Sequence, residues 1–88
     1  MKIQMVYLVH FHDLTGKDEE ELDVDIVNVN ELIDHLEDKY PGMGKLLRKE
    51  DGSAKPNNIA ILNRKGERAH FVKDFSIKLN DGDHVTLI

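Results

Sequence analysis

The sequence contains no cysteine and no tryptophan, and it has no long apolar run. Without cysteine there can be no disulfide, no thiolate nucleophile and no cysteine-based metal centre. No stretch approaches the ~20 apolar residues that a transmembrane helix requires. No apolar segment typical of a signal peptide follows Met1. We therefore expect a cytoplasmic protein.

An excess of positive charge is also lacking. The chain has 12 basic and 17 acidic residues, for a formal net charge of −5. An acidic surface repels phosphate backbones, which argues against a nucleic acid partner. The 88 residues form one domain, 1–88, with one small core and no room for an enclosed active-site cavity. With no nucleophile motif and no glycine-rich phosphate loop, we expect a carrier or binding module without a cofactor, not an enzyme.

The first half of the chain predicts two strands and a helix. The opening "KIQMVYLVHF" carries apolar residues at both parities, as a strand covered on both faces does. The stretch "HDLTGKDEEE" then predicts a loop. In "ELDVDI", strict alternation points Leu22, Val24 and Ile26 inward, which predicts a half-buried antiparallel partner of the first strand.

The clearest helix signal is "NVNELIDHLEDKYPG". Asn28 is a good N-cap, and Glu31 stands three residues later, as in a capping box. Pro41 and Gly42 end the helix. A short helical turn is expected in "MGKLLRKE". Residues at helical spacing form one apolar stripe: Val29, Leu32, Ile33, Leu36 and Tyr40.

The second half of the chain predicts short strands. "IAILN" is one, and whether "RAHFV" (68–72) returns as its hairpin partner is left open. Asp81, Gly82 and Asp83 form a tight structural turn before the last strand, "HVTLI". The first and last strands are the most apolar and form the central pair. This order predicts an α+β ubiquitin-like β-grasp with a mixed four- to five-stranded sheet and one main helix packed on one face.

Three stretches together carry a resemblance to a known family. "HDLTGKDEEELDVD", "VNELIDHLEDKYPG" and "LNDGDHVTLI" stand in the order and spacing found in ThiS/MoaD-type sulfur-carrier proteins. No single motif is specific, but the ordered set covers nearly the whole chain. The resemblance implies a sulfur carrier for molybdopterin, thiamine or thiolated RNA synthesis. It implies two kinds of partner, a ubiquitin-activating-type adenylating enzyme and an acceptor of the molybdopterin- or thiazole-synthase type.

The chemistry of that family resides in a C-terminal Gly-Gly tail, which has no counterpart in this sequence. By alignment of "DGDHVTLI", such a tail would begin just after Ile88, so no reactive glycine can be assigned. Two interpretations are open. The protein is either a carrier whose tail lies beyond Ile88, or a non-catalytic ubiquitin-like adaptor that binds partners without thiocarboxylate chemistry.

An apolar cluster near the end of the chain is the candidate partner-binding site. We assign it to Phe75, Val85, Leu87 and Ile88, with Phe71 nearby, because one parity of the last strand must pack on the helix and the other would stay partly open. The alternative is that both parities are covered, for instance in a homodimer.

Two polar features have a functional and a plainer interpretation. His10 and His12, at strand spacing, could share one face, but two imidazoles make a poor metal site. We therefore expect surface histidines and no metal. The acidic run 18–21 is either a docking patch for a basic partner or, with more weight, a solvated loop.

Overall fold

The computed structural model describes residues 1–88 as one five-stranded sheet with three helices. The strands lie in the order β2-β1-β5-β3-β4. Strands β1 and β5 are parallel neighbours, and the other adjacent pairs are antiparallel. The predicted ubiquitin-like β-grasp and the pairing of the first and last strands are confirmed. The elements are β1 Lys2–Tyr7, α1 His10–Thr15, β2 Glu19–Asp23, α2 Val29–Lys39, α3 Met43–Leu47, β3 Ala60–Asn63, β4 His70–Val72 and β5 His84–Leu87.

Helix α2 begins and ends as its sequence predicts. The Glu31 amide donates a 2.9 Å hydrogen bond to Oδ1 of Asn28, which satisfies one of the free N–H groups of the first turn. Tyr40 follows the last helical residue, and its amide donates to the Leu36 carbonyl. The apolar stripe faces the sheet with four buried residues: Val29, Leu32, Ile33 and Leu36.

The core contains 20 buried apolar residues between the helices and the inner face of the sheet. The inner face of β1 supplies Ile3, Met5 and Tyr7, and β5 supplies Val85 and Leu87. No helix covers the opposite face, so Gln4 and Val6 are only half-buried. The expectation that β1 is covered on both faces is therefore wrong. None of the three helices combines the length and apolar character that spanning a membrane would require.

The segment between β1 and β2 differs most from expectation. β1 ends at Tyr7, and the predicted strand end and loop contain the short helix α1. Val9, with φ 55° and ψ −116°, turns the chain out of the strand, and Gly16, with φ 71°, ends the helix in the left-handed region. β2 also starts earlier than predicted, at Glu19, although Leu22, Val24 and Ile26 are buried as expected.

The stretch "RAHFV" does contain a strand. Residues His70–Val72 form β4, which pairs antiparallel with β3 and lies at the edge of the sheet. The following irregular segment packs Phe75 and Leu79 into the core, with Ile77 partly buried against it. Strand β5 is thereby enclosed between β1 and β3 in the middle of the sheet.

Candidate partner-binding surface

The C-terminal ends of the two central strands lie side by side at one end of the sheet, because β1 and β5 run in parallel. The Leu8 amide donates a 2.9 Å hydrogen bond to the Leu87 carbonyl. Ile88 exchanges two backbone hydrogen bonds with Ile59, of 2.6 and 2.9 Å. The backbone of Ile88 is therefore fixed within the sheet, whereas its side chain is 39% exposed.

Exposed apolar side chains cluster at this end of the sheet. Leu8 is 39% and Val9 63% exposed. Val9 and Ile88 line a depression of about 460 Å³ together with Leu46. We call Leu8, Val9, Leu46 and Ile88 the strand-exit surface. Val9 also holds a positive φ, which is costly for a β-branched residue and is characteristic of sites where function constrains the backbone.

A second apolar feature crosses the uncovered face of the sheet. The strand register aligns Val6, Thr86, Ile61 and Phe71 side by side on β1, β5, β3 and β4. The first three are half-buried, and Phe71 is 64% exposed. We call these four residues the outer-face row. It presents three apolar side chains and one threonine that a partner protein can cover.

The turn before β5 is held by two side-chain contacts and by the backbone conformation of one glycine. Oδ1 of Asp81 accepts a 2.6 Å hydrogen bond from the Lys2 amide. Gly82 adopts φ 85°, which a residue with a side chain would take up only with strain. Asp83 is 3% exposed, and both its carboxylate oxygens lie 3.1 Å from Nε of Arg64. These contacts fix where β5 enters the sheet.

Glu20 is the most heavily bonded side chain in the protein. Its Oε1 accepts hydrogen bonds from the hydroxyls of Tyr7 (2.7 Å) and Tyr40 (2.9 Å). Its Oε2 lies 2.9 Å from Nζ of Lys17 and 3.0 Å from Nζ of Lys39. We call these five residues the Glu20 network. It ties β1, β2 and the end of α2 together.

The network changes the acidity of its members. Burial alone would raise the pKa of Glu20, but the donors from Tyr7, Lys17, Lys39 and Tyr40 outweigh it and lower that pKa from 4.5 to about 2. Burial, followed by the hydrogen bond and negative charge of Glu20, raises the pKa of Tyr7 far above its usual range. Glu20 is therefore a carboxylate and Tyr7 a neutral phenol at physiological pH. The network therefore holds each of these two groups in one charge state.

Three of the four residues predicted to bind a partner lie in the core. Phe75, Val85 and Leu87 are 5%, 1% and 2% exposed. Val85 and Leu87 share the parity of β5 that faces α2, so the open parity carries His84 and Thr86 instead. Only Ile88 of the predicted set is at the surface, and it joins Leu8 and Val9 there.

The two histidines do not share a face. Both lie in α1, where residues two apart point to nearly opposite sides of the helix. His12 instead places Nε2 3.2 Å from an Asp18 carboxylate oxygen. No group of three or more histidine, aspartate and glutamate side chains is arranged to hold a metal ion.

Sequence reasoning missed Glu20, Arg64, Leu8 and Val9. A signal for Glu20 was present, since it shares the inward parity of Leu22, which is 4% exposed. The acidic run 18–21 is thus not uniformly solvated, because Glu20 is drawn into the network while its neighbours are exposed. Nothing local marks Arg64, whose partner Asp83 is 19 residues away.

The fold defines a ubiquitin-like β-grasp protein. Solved structures with this fold include the HVO 2177 protein of Haloferax volcanii, 25% identical, with a TM-score of 0.78 over 99% of this chain and 80% of that one. SAMP1 of Haloferax volcanii is 19% identical, with a TM-score of 0.71 over 100% of this chain and 93% of that one.

A third similar structure is a candidate molybdopterin converting factor subunit 1 from Pyrococcus furiosus. It is 24% identical, with a TM-score of 0.71 over 98% of this chain and 93% of that one. The resemblance seen in the sequence is thus confirmed at the level of the fold. No family model and no curated protein matches the chain.

Proposed function

We propose that the protein is a ubiquitin-like carrier or modifier that resembles the sulfur carriers of molybdopterin, thiamine or thiolated RNA synthesis and acts in the cytoplasm. The observation that carries this proposal is the strand-exit surface. The central strand β5 ends there among exposed apolar residues, and in the sulfur carriers that this sequence resembles the reactive tail follows the last strand. The names of two structural neighbours, a small archaeal modifier and a converting-factor subunit, support the same class.

The proposed partners are an adenylating enzyme of the ubiquitin-activating type and an acceptor enzyme of the molybdopterin- or thiazole-synthase type. In this chemistry a C-terminal carboxylate attacks the α-phosphorus of ATP and pyrophosphate leaves. Hydrosulfide supplied by a sulfur donor then attacks the acyl carbon, the bond to AMP breaks, and a thiocarboxylate and AMP result. The carrier itself supplies no acid, base or metal. Its own residues have to bind the enzyme and aim the end of the chain, for which the strand-exit surface and the outer-face row are available.

The test uses the protein encoded by its gene through to the stop codon. It is incubated with an adenylating enzyme from the same genome, ATP and a sulfur donor, and its intact mass is measured. A gain of ~16 Da, the difference between the atomic masses of sulfur and oxygen, supports a carrier. Covalent attachment to another protein supports a modifier. An unchanged mass with retained binding to the enzyme supports the alternative, a non-catalytic adaptor.

The contribution of the surface itself is tested by Ile88→Asp. We expect this change to weaken binding to the adenylating enzyme by at least about tenfold, because it places a charge within an apolar contact. The melting temperature should fall little, since Ile88 is 39% exposed. The matched control is Val27→Asp, an exposed valine that belongs to neither surface. If Ile88→Asp unfolds the protein, or binds as well as the control, Ile88 is not a contact residue.

A further inference from the structure

A groove beside the edge strand β4 shares only Phe71 with the surfaces described so far. It has a volume of about 610 Å³ and lies between β4 and the segment 49–58. The facing segment is held in place by backbone hydrogen bonds from Lys49 to the Ser53 carbonyl and from Lys55 to the Leu47 carbonyl, of 2.8 and 2.9 Å. Strand β4 therefore forms one wall of the groove, and a loop fixed by these backbone hydrogen bonds forms the other.

The charge of the groove is opposite to that of the protein. Its lining includes Lys49, Lys55 and Lys73 and no aspartate or glutamate, although the chain as a whole has a net charge of −5. The nearest carboxylates along the chain are those of Glu50, Asp51 and Asp74, none of which lines the groove. Asp51 accepts hydrogen bonds from Ser53, and Asp74 accepts hydrogen bonds from Ser76. The three ammonium groups are left to attract an acidic ligand.

The strand wall presents unpaired backbone groups. Ile59 and Ile88 exchange hydrogen bonds, so by the alternation of an antiparallel ladder Ile61 also bonds towards β5. Ala60 and Leu62 then bond towards β4, to Val72 and His70. The N–H and C=O of Phe71, between these two residues, consequently point away from the sheet. No other backbone or side-chain hydrogen bond involves them.

These features favour a polypeptide over a nucleic acid. An unpaired strand edge recognises the N–H and C=O groups of an extended peptide, which a nucleic acid lacks. The net charge of −5 opposes a phosphate backbone, whereas the lysines suit carboxylates spaced along a peptide. Phe71, 64% exposed at the rim, offers an apolar contact for alternate side chains.

We propose that this groove binds an extended acidic segment of a partner protein, which adds a strand to β4 and places its carboxylates against Lys49, Lys55 and Lys73. The inference goes beyond the proposed function, because it requires no C-terminal chemistry and uses the free edge of β4 instead of the strand-exit surface. If the groove binds no peptide, the carrier proposal is unaffected. If the protein is not a carrier, the groove can still bind a peptide.

The charge part is tested with a fluorescein-labelled peptide of about eight residues that alternates glutamate and valine, a length that spans one strand. Binding is followed by fluorescence polarisation. The double variant Lys55→Glu/Lys73→Glu should lose at least about tenfold in affinity. The control Lys65→Glu changes an exposed lysine outside the groove and should keep the wild-type affinity. Equal effects of the two variants would overturn the proposal, as would tighter binding of an oligothymidylate of similar length.

The strand-addition part is tested at Phe71. Phe71→Pro removes the outward N–H and leaves the bonds of β4 to β3 intact, whereas Phe71→Ala removes the ring and keeps the N–H. Proline should weaken binding more than alanine does. In the wild-type protein, hydrogen exchange of the Phe71 amide should slow when the peptide is bound. An unprotected Phe71 amide, or NMR shifts confined to another surface, would refute strand addition.

Self-association is the remaining outcome that would overturn the proposal. Sedimentation of the protein alone would show it as a concentration-dependent increase in mass that disappears in Lys55→Glu/Lys73→Glu. The groove would then belong to a second copy of this chain. A monomer over the same concentration range supports the partner peptide.

Discussion

Replacing Glu20 by glutamine tests whether the Glu20 network stabilises the fold. A carboxylate accepts at about four lone-pair positions, and the network uses them for two hydroxyl and two ammonium donors. The glutamine carbonyl offers only two such positions, and its NH2 group faces donors. A glutamine that turns its carbonyl towards the two hydroxyls leaves its NH2 group facing Lys17 and Lys39, and both hydroxyls then donate to a neutral acceptor instead of a carboxylate. Tyr7 is the more costly of the two, since the residue is 0% exposed.

The magnitude follows from the exposure of each donor. A hydrogen bond to a charged acceptor contributes about 1.5–3 kcal/mol and one between neutral groups about 0.5–1.5 kcal/mol, so each of the two hydroxyl bonds weakens by about 1 kcal/mol. Water can replace the carboxylate at Lys17 and Lys39, whose side chains are 44% and 43% exposed, so their loss adds little. We expect Glu20→Gln to lower the free energy of unfolding by about 2 kcal/mol, which corresponds to a fall of about 8–16 °C in melting temperature for a domain of this size.

The stability that the Glu20 network contributes should decrease as the pH falls. The network lowers the pKa of Glu20 from 4.5 to about 2 in the folded state. Its contribution is therefore fully present above pH 4.5 and is lost as the pH falls towards 2. The difference in melting temperature between wild type and Glu20→Gln should be constant from pH 7 to pH 5 and should shrink below that.

The assay is thermal unfolding followed by circular dichroism across this pH range. The matched control is Glu19→Gln, the same change at an adjacent exposed carboxylate. It should stay within about 0.5 kcal/mol of wild type. Equal melting temperatures for the two variants at pH 7 would refute the reasoning, as would a difference that does not narrow in acid.

Two further changes test the backbone and the turn. Val9→Gly should stabilise the protein by about 1 kcal/mol, because φ 55° is strained for valine. The control Val27→Gly should destabilise the protein. A lower melting temperature for Val9→Gly than for wild type contradicts this prediction. Asp83→Asn should cost about 2 kcal/mol in urea unfolding, more than Asp81→Asn, because Asp83 neutralises the largely buried Arg64. Equal losses would show that the ion pair contributes nothing.

The sequence predicted those elements whose signals are local and repeated. Helix α2 has both an N-cap at Asn28 and an apolar stripe of three turns, so its limits were correct within a residue or two. The most apolar strands were correctly placed in the centre of the sheet. The six residues of α1 contain one buried side chain, Phe11, which is too little for a helical period to show, so this segment was interpreted as a strand end and loop.

The candidate site was less predictable because it depends on register. The alternation of "HVTLI" does not show which parity faces the helix. The prediction that Val85 and Leu87 lie at the surface was wrong. Ile88, assigned to the same cluster, is 39% exposed. Whether Ile88 contacts a partner stays a prediction.

What the sequence alone determined is the acidic character of the chain, its α2 helix and an order of strands and helix that a β-grasp accommodates. The tertiary structure decided which residues are available for function. Glu20 and Arg64 find partners distant in sequence, and the strand-exit surface brings Leu8 and Val9 beside Ile88 at the far end of the chain. Such contacts arise from strand pairing and helix packing, and no local pattern of residues encodes them.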